Sequence, residues 1–260
     1  MAENRLEEVN ISRAILERYH AKISGCIESD VIIAGAGPSG LVAGIKLAEA
    51  GLKVTILEKR LSPGGGIWGG AIGMNEAVVQ DDAIGLLDEL GIAHERRDNG
   101  LHTVDAMELA SGLCFKAIKA GGTLLNLMTV EDVCIHDNRV RGVVANQTML
   151  VDSLPIDPIV FSARAVIDAT GHEAAVVGAI RRRGLLNDSP ARNGVEGPMN
   201  AVAGEVFVVE RAGEVYPGLW VTGMSVSATF SGPRMGPIFG GMLLSGKRVA
   251  EQVVDALKKS

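Results

Sequence analysis

The sequence has few aromatic residues, few cysteines and no long apolar run. Aromatic residues make up 3% of its 260 residues, and its three cysteines, Cys26, Cys114 and Cys134, lie far apart. Three scattered cysteines predict neither a disulfide framework nor a zinc knuckle, and we expect a cytoplasmic protein. No apolar run reaches the roughly 20 residues that a membrane span needs, and the charged N-terminus is unlike a signal peptide. We therefore expect no membrane partner.

The sequence also lacks a block of basic residues. Its net charge is −6 at pH 7, which argues against nucleic acid as a partner. Glycine, by contrast, is abundant: the chain has 33 glycines, about twice the usual share. They cluster around 35–40, 64–73 and 218–246. In these segments we expect the backbone to approach a ligand closely.

A strand, a glycine motif, a helix and a second strand follow one another between residues 30 and 58. The apolar runs 31–34 and 54–57 predict short, buried parallel strands. Between them, a helical pattern follows three glycines at G-x-G-x-x-G spacing, Gly35, Gly37 and Gly40. This order is typical of a dinucleotide-binding fold, and a glycine-rich turn of another α/β fold is the alternative. We predict that the chain binds an adenine dinucleotide or a ligand of similar shape.

Each residue of this motif has a physical role in a dinucleotide site. Gly35 permits a tight turn, Gly37 lets a pyrophosphate approach the backbone, and Gly40 lets the helix pack on the strand. The helix begins near Ser39, and its free N–H groups and positive dipole end favour phosphate. Glu58 ends the second strand, where a carboxylate can accept hydrogen bonds from both hydroxyls of an adenosine ribose.

The whole chain predicts an α/β protein with a flavoprotein-like dinucleotide-binding (Rossmann-type) fold, a central parallel sheet and an inserted β-rich section. We predict one domain over residues 1–260, with an N-terminal amphipathic helix over 1–24 and the inserted segment at about 100–165. The glycine-rich segment 63–70 predicts a loop that wraps a ligand, and 188–200 predicts a mobile loop. Further helices are predicted at 81–90, 104–120 and 236–257. Further strands are predicted at 123–127, 130–133, 139–144, 159–163, 164–168, 205–210 and 219–222.

Two late turns bear on the cofactor. Ala169-Thr170-Gly171 resembles the turn that closes a late strand in flavoproteins with two dinucleotide-binding domains. Those proteins end a final strand in Gly-Asp, whose carboxylate holds the flavin ribityl chain, whereas Gly223 is followed here by Met224. The missing charge-assisted hydrogen bond is worth about 1.5–3 kcal/mol. This disfavours flavin, and a flavin-dependent oxidoreductase stays open as an alternative.

Three segments together resemble the thiazole synthase family of thiamine biosynthesis in archaea and fungi. They are 63–68 (Pro-Gly-Gly-Gly-Ile-Trp), 168–172 (Asp-Ala-Thr-Gly-His) and 232–247 (Gly-Pro-Arg-Met-Gly-Pro-Ile-Phe-Gly-Gly-Met-Leu-Leu-Ser-Gly-Lys), and the resemblance extends from about residue 5 to residue 257. It implies an enzyme that condenses the ADP-ribose half of NAD with glycine and adds sulfur, forming an adenylated thiazole carboxylate. Nicotinamide is the leaving group, so NAD is a substrate and no hydride is transferred.

The resemblance implies ligand contacts for residues at matching positions. Those implied to contact the ADP-ribose portion are Ser39, Glu58, Lys59 and Gly66. Val130 would offer backbone groups to the adenine edge, and plain core packing is the alternative for this residue. Met224 would line the ligand channel.

The resemblance also implies three catalytic residues, Arg234, His172 and Asp157. Arg234 would bind the carboxylate of glycine through its planar fork, and a structural salt bridge is the alternative. His172 and Asp157 would bind Fe(II), with the aspartate supplied by an adjacent subunit. By residue type alone they would be an ordinary hydrogen-bonded histidine and a turn residue. A shared metal site implies a homo-oligomer, and we expect an octamer.

The sequence departs from the family two residues before Asp157, where Pro155 stands. Self-sacrificing eukaryotic members have there the cysteine that donates sulfur, and sulfide-using archaeal members have histidine. Proline neither donates sulfur nor binds a metal, so we expect a sulfide-dependent enzyme with at most two of the family's usual protein ligands to iron. Ribose 1,5-bisphosphate isomerase and a non-catalytic NAD-binding homologue stay open as alternatives.

Overall fold

Five parallel strands form the centre of the molecule. The computed structural model describes residues 6–151 and 156–259. The strands are β1 (Glu28–Ala34), β2 (Val54–Glu58), β3 (Glu76–Gln80), β4 (Glu95–Arg96), β5 (Leu101–Asp105), β6 (Thr123–Asn126), β7 (Met128–His136), β8 (Arg139–Gln147), β9 (Ile159–Asp168), β10 (Gly213–Tyr216) and β11 (Leu219–Val221). The main sheet has the order β10-β11-β9-β1-β2-β6, and β8 pairs with β9 and β7 with β8. β3, β5 and β4 form a separate small sheet.

The main sheet is parallel in its centre and antiparallel at its margins. The neighbours β6, β2, β1, β9 and β11 are parallel. β10 runs antiparallel to β11, and the β7–β8 hairpin joins β9 antiparallel. The strands predicted at 31–34 and 219–222 thus lie in one sheet. The predicted α/β fold of the dinucleotide-binding type, with a central parallel sheet, is confirmed.

Helices cover both faces of this sheet. They are α1 (Glu8–Cys26), α2 (Pro38–Glu49), α3 (Ile84–Leu90), α4 (Ala106–Lys119), α5 (Ala175–Arg182), α6 (Ala201–Glu210), α7 (Met224–Phe230) and α8 (Gly240–Lys258). None of the helices formed by the described residues is long and apolar enough to cross a membrane.

The sheet separates two apolar cores. Val31 and Ile33 of β1 face the core built with α2, α4 and α8, whereas Ile32 and Ala34 face the core built with α5, α7 and the β7–β8 hairpin. A strand that is buried on both faces has a continuous run of apolar residues, and this run is the pattern from which β1 was predicted.

Some predicted elements are wrong in part or in full; residues 236–239, for example, precede α8, so the helix predicted over 236–257 begins only at Gly240. Residues 205–210, predicted as a strand, belong to α6, which begins where the Asn200 side chain accepts a hydrogen bond from Ala203 N at 3.1 Å. Its valines favour a strand by propensity, but this cap and the burial of one helix face override that preference. Residues 104–105 end β5, so the helix predicted over 104–120 begins only at Ala106, where Asp105 caps it. Residues 1–5 of the predicted N-terminal helix and Pro155 lie outside the described residues.

Candidate active site

A cleft of about 610 Å³ lies at the carboxyl ends of the parallel strands. Ligands of α/β folds bind at this edge, and small-molecule sites typically enclose roughly 300–1,000 Å³. The residues predicted from the sequence that line the cleft are Gly35, Gly37, Ser39, Glu58, Lys59, Gly66, Val130, His172, Met224 and Arg234. Gly40 and Asp157 are the predicted site residues that do not line it.

Glycine suits each of the three motif positions for a different structural reason. Gly35 has a φ of +101°, and a Cβ there would lie 2.4 Å from the carbonyl oxygen of Ala169. A Cβ on Gly40 would lie 2.2 Å from the carbonyl oxygen of Gly35, so Gly40 serves the packing of α2 on β1. A Cβ on Gly37 would meet no protein atom within 4 Å, although Gly37 lines the cleft. The open space at Gly37 therefore fits a ligand that approaches the backbone closely.

Glu58 is fixed by backbone donors at the end of β2. Its side chain is almost fully buried, with 6% of the residue exposed. Oε2 accepts a hydrogen bond from Ala36 N at 2.8 Å, and Oε1 accepts one from Arg60 N at 2.7 Å. Each carboxylate oxygen has a second lone pair, which can accept a hydrogen bond from a hydroxyl group. The arrangement suits a ribose diol.

A buried carboxylate holds the turn that follows β9. Asp168 accepts hydrogen bonds from Thr170 N at 3.0 Å, from Thr170 Oγ1 at 2.7 Å and from Ser225 Oγ at 3.1 Å. Burial raises the pKa of Asp168 above its usual value, and these hydrogen bonds oppose the shift. The Ser225 hydroxyl also accepts a hydrogen bond from Gly171 N at 2.9 Å. This network fixes the backbone immediately before His172.

Glu196 joins His172 to Arg234. Nδ1 of His172 lies 2.7 and 2.9 Å from the two carboxylate oxygens of Glu196. Nε of Arg234 lies 3.5 Å from Oε2 of the same carboxylate, which is an ion pair without a short hydrogen bond. The side chain of Glu196 is 15% exposed, whereas those of His172 and Arg234 are 57% and 52% exposed. The ion pair is the structural role that the sequence left open for Arg234.

Three further predicted residues, Lys59, Met224 and Val130, line the cleft. Nζ of Lys59 forms an ion pair with Oε1 of Glu173 at 2.5 Å, and both side chains are exposed. Met224 begins α7 and is buried. Val130 is partly buried in β7 and packs on the core, so both roles considered for it are compatible with its position.

A side-chain hydrogen bond closes the glycine-rich loop 63–70 on itself. Nε1 of Trp68 donates a hydrogen bond to the carbonyl oxygen of Pro63 at 2.6 Å, which ties the loop together across Gly64 and Gly65. Gly65 and Gly66 line the cleft, and a Cβ on Gly66 would meet no protein atom within 4 Å. The loop is thus a wall of the cleft.

Asp157 lies outside the cleft of its own chain. It is exposed in the irregular segment before β9, and the described residues contain no group of three His, Cys, Asp or Glu side chains placed to hold a metal ion. One chain therefore offers the cleft His172 as its predicted metal ligand. Imidazole and carboxylate together suit non-haem iron, and this donor set is complete here only if a second chain supplies Asp157.

Sequence reasoning missed Glu196, Asp168 and Ser225 as members of the site. Glu196 lies in a segment without periodicity, and its position between Gly194 and Gly197 was the one local signal. Its partners are 24 and 38 residues away in sequence, so no spacing rule joins them. Asp168 is the last residue of a buried strand, and a charged residue in that place was the signal available for it.

Comparisons with known proteins agree with this architecture. The family model described as the Thi4 family matches residues 12–239. A thiamine thiazole synthase of Pyrococcus horikoshii is 48% identical over 254 residues, which are 97% of this chain and 99% of that protein. One of Methanothermobacter thermautotrophicus is 47% identical over 257 residues, 98% of this chain and 100% of that protein.

A solved structure is similar over the same length. The crystal structure of Thermovibrio ammonificans THI4 superposes with a TM-score of 0.93 at 44% identity, covering 98% of this chain and 100% of that chain. The resemblance found in the sequence motifs is thereby confirmed. The chain belongs to the Thi4 family and is an enzyme of the thiamine thiazole synthase type.

Proposed function

We propose that this enzyme forms ADP-thiazole carboxylate from NAD, glycine and sulfide with Fe(II), and that it releases nicotinamide. One observation carries the proposal: a single cleft holds a carboxylate suited to ribose hydroxyls, Glu58, and a guanidinium suited to a small carboxylate, Arg234. An enzyme that joins ADP-ribose to an amino acid needs both recognition groups in one place.

The nucleotide is held by backbone and by Glu58. The pyrophosphate lies against Gly37 and the N-terminus of α2, where N–H groups and the helix dipole favour anions. Glu58 accepts hydrogen bonds from the adenosine ribose, and Val130 offers backbone groups to adenine. Lys59 adds a cation at the rim, because its ion pair with Glu173 is exposed and is replaced at little cost.

Glycine would bind at Arg234 and iron at His172, both of which line the same cleft. The ion pair with Glu196 engages Nε of Arg234, and the two terminal nitrogens form the fork that binds a carboxylate. His172 of one chain and Asp157 of a neighbouring chain would hold Fe(II). When bound, Fe(II) supplies a Lewis acid and a site for sulfide.

Sulfur comes from added sulfide, because the cysteines of this chain are poor donors. Burial raises the pKa of the Cys114 thiol to about 11, and burial also raises the pKa of Cys134. Both thiols therefore stay protonated at neutral pH, whereas the thiolate is the reactive form. Cys26 is buried at the end of α1. Free cysteines at these places also suit a cytoplasmic protein.

The assembly is a homo-oligomer, as a site shared between chains requires. Two helices expose apolar side chains that another copy would cover. They are Leu6, Val9, Ile15 and Leu16 at α1, and Val202 and Val206 on α6. Clusters of exposed apolar residues mark protein contacts in soluble proteins, which supports an oligomer such as the octamer expected from the family.

Reconstitution tests the proposal. Purified protein is incubated without oxygen with NAD, glycine, sulfide and Fe(II), and the small molecules are identified by mass spectrometry. We expect nicotinamide and an adenylated thiazole carboxylate, formed only when all four are present, and an unchanged protein mass. A protein that loses about 34 Da, the mass of hydrogen sulfide, would instead have spent a cysteine. Bound flavin, or turnover of ribose 1,5-bisphosphate without thiazole, would contradict the proposal.

A further inference from the structure

We infer that Glu196 is the positioning residue that couples the metal ligand to the amino-acid binding residue. This inference rests on the proposed function and adds to it a residue that touches neither substrate nor metal. Glu196 does not line the cleft, whereas His172 and Arg234 do. Its carboxylate contacts both of them.

The hydrogen bond to His172 fixes the tautomer of the imidazole ring. An ionised carboxylate only accepts hydrogen bonds, so Nδ1 of His172 carries the hydrogen atom. Nδ1 donates a hydrogen bond to Oε1 of Glu196 at 2.7 Å. The lone pair is then on Nε2, which is the nitrogen left for a metal. Metal-binding histidines generally have such a carboxylate on the other ring nitrogen, where it orients the ring and raises its basicity.

The same carboxylate orients the guanidinium of Arg234. Oε2 of Glu196 lies 3.5 Å from Nε of Arg234, which leaves the two terminal nitrogens for another partner. A guanidinium held at Nε presents its terminal nitrogens in one plane to a second carboxylate. Glu196 thereby sets the angle from which glycine is held relative to the metal side of the site.

The backbone keeps Glu196 in register with Arg234. Gly197 N donates a hydrogen bond to the carbonyl oxygen of Gly232 at 2.8 Å, and Asn200 N donates one to that of Arg234 at 2.9 Å. Met199 and Arg234 form a parallel β-bridge. The segment predicted as a mobile loop is therefore paired with the segment that carries Arg234, and a shift of one would move the other.

Two substitutions separate the roles of the carboxylate. In Glu196→Gln the amide oxygen still accepts a hydrogen bond from Nδ1 of His172, but the negative charge beside Arg234 is lost. In Glu196→Ala both interactions are lost. Asp188→Ala, at an exposed residue of the same loop, is the control.

The readouts are Co²⁺ affinity and visible spectrum, the KM for glycine, and NAD affinity by calorimetry. We expect Glu196→Ala to weaken Co²⁺ binding by about 10–100-fold, to change the Co²⁺ spectrum and to raise the KM for glycine, with NAD affinity unchanged. Glu196→Gln should raise the KM for glycine to a similar extent while it retains most of the Co²⁺ affinity. A purely structural role would move all three readouts together, or none. Asp188→Ala should behave as the wild type.

The outcomes distinguish this inference from the proposed function. Wild-type protein that binds Co²⁺, NAD and glycine, together with a Glu196→Ala variant that binds them equally well, overturns the inference alone. Equal losses of Co²⁺ affinity in both variants also overturn it. If Glu196→Ala is poorly folded, Glu196→Gln is compared with the wild type alone, and an unchanged KM for glycine or a loss of most of the Co²⁺ affinity overturns the inference. Wild-type protein that binds neither Co²⁺ nor NAD overturns the proposed function and the inference with it.

Discussion

The proposed nucleotide half of the cleft, residues 35–40 and Glu58, is buried or partly buried and lies at the ends of regular elements. The proposed reactive half, His172 and Arg234 with Glu196 in contact with both, lies on turns and loops. Glu58 is 6% exposed and accepts hydrogen bonds from two backbone N–H groups. His172 and Arg234 have more than half of their side chains exposed and depend on one carboxylate.

This difference follows from what each half must recognise. In the proposed function, phosphate and ribose are bound by N–H groups and a carboxylate that the strand–turn–helix unit positions as it folds. The reactive half must admit several small reactants, and its predicted second metal ligand, Asp157, lies outside the cleft of its own chain. We therefore expect substitutions in the nucleotide half to affect folding or NAD, and substitutions in the reactive half to affect glycine and metal.

The largest effect is expected for Gly40→Ala. A Cβ at residue 40 would lie 2.2 Å from a backbone oxygen, which cannot move aside, so the free energy of unfolding should fall by about 3 kcal/mol or more. Gly37→Ala is the matched control, since its Cβ meets no protein atom within 4 Å. It should lower stability by about 1 kcal/mol at most but weaken NAD binding clearly. Chemical denaturation and calorimetry measure both, and equal destabilisation by the two variants would refute this account of the glycines.

Glu58→Ala should weaken NAD binding by about 1–3 kcal/mol, because ribose hydroxyls would lose their acceptor. Calorimetry of the folded variant measures this loss. Glu49→Ala, at an exposed residue of α2, is the control and should bind NAD normally. Unchanged affinity in Glu58→Ala would remove Glu58 from the nucleotide site.

Arg234→Lys should raise the KM for glycine by about tenfold and leave NAD affinity unchanged, because a point charge replaces a bidentate fork. Steady-state kinetics at saturating NAD measure the first effect and calorimetry the second. Equal losses for both substrates would mean that Arg234 has only the structural role of its ion pair.

The last expected effect is on stability alone and concerns Glu205, a buried carboxylate of α6 that accepts hydrogen bonds from Gln80 Nε2 and Gly241 N. Burial raises the pKa of Glu205 to about 7 in the folded state, above its value in the unfolded chain. Between roughly pH 4.5 and 7 the folded state binds more protons, so stability falls as pH rises through this range.

Glu205→Gln should reduce this pH dependence. The change in the free energy of unfolding between pH 5 and 8 should be smaller by about 1–3 kcal/mol than in the wild type. Denaturation curves at several pH values measure the slope. Glu210→Gln, at an exposed residue of the same helix, should leave it unchanged. An identical slope in Glu205→Gln and wild type would contradict the raised pKa.

The sequence could predict that the residues of the proposed nucleotide half come together, because their signals are local. Buried strands, glycine spacing and a terminal carboxylate lie within 30 residues, and each has a backbone reason that a pattern reveals. Glu196 and Asp168 act through contacts between distant segments, which no local pattern records. The strand predicted over 205–210 failed for a related reason, because tertiary packing overrode the preference of its valines.

Subunit complementation tests most directly whether the reactive half is assembled from two chains. Asp157→Ala and His172→Ala variants, each inactive alone, are co-expressed with different tags and mixed oligomers are purified through both tags. If Asp157 and His172 of one site belong to different chains, about one quarter of the sites in a random mixture combine both intact residues, and thiazole formation returns to about that fraction. Mixed oligomers that stay inactive, while wild-type chains carrying the same tags are active, would contradict the shared site.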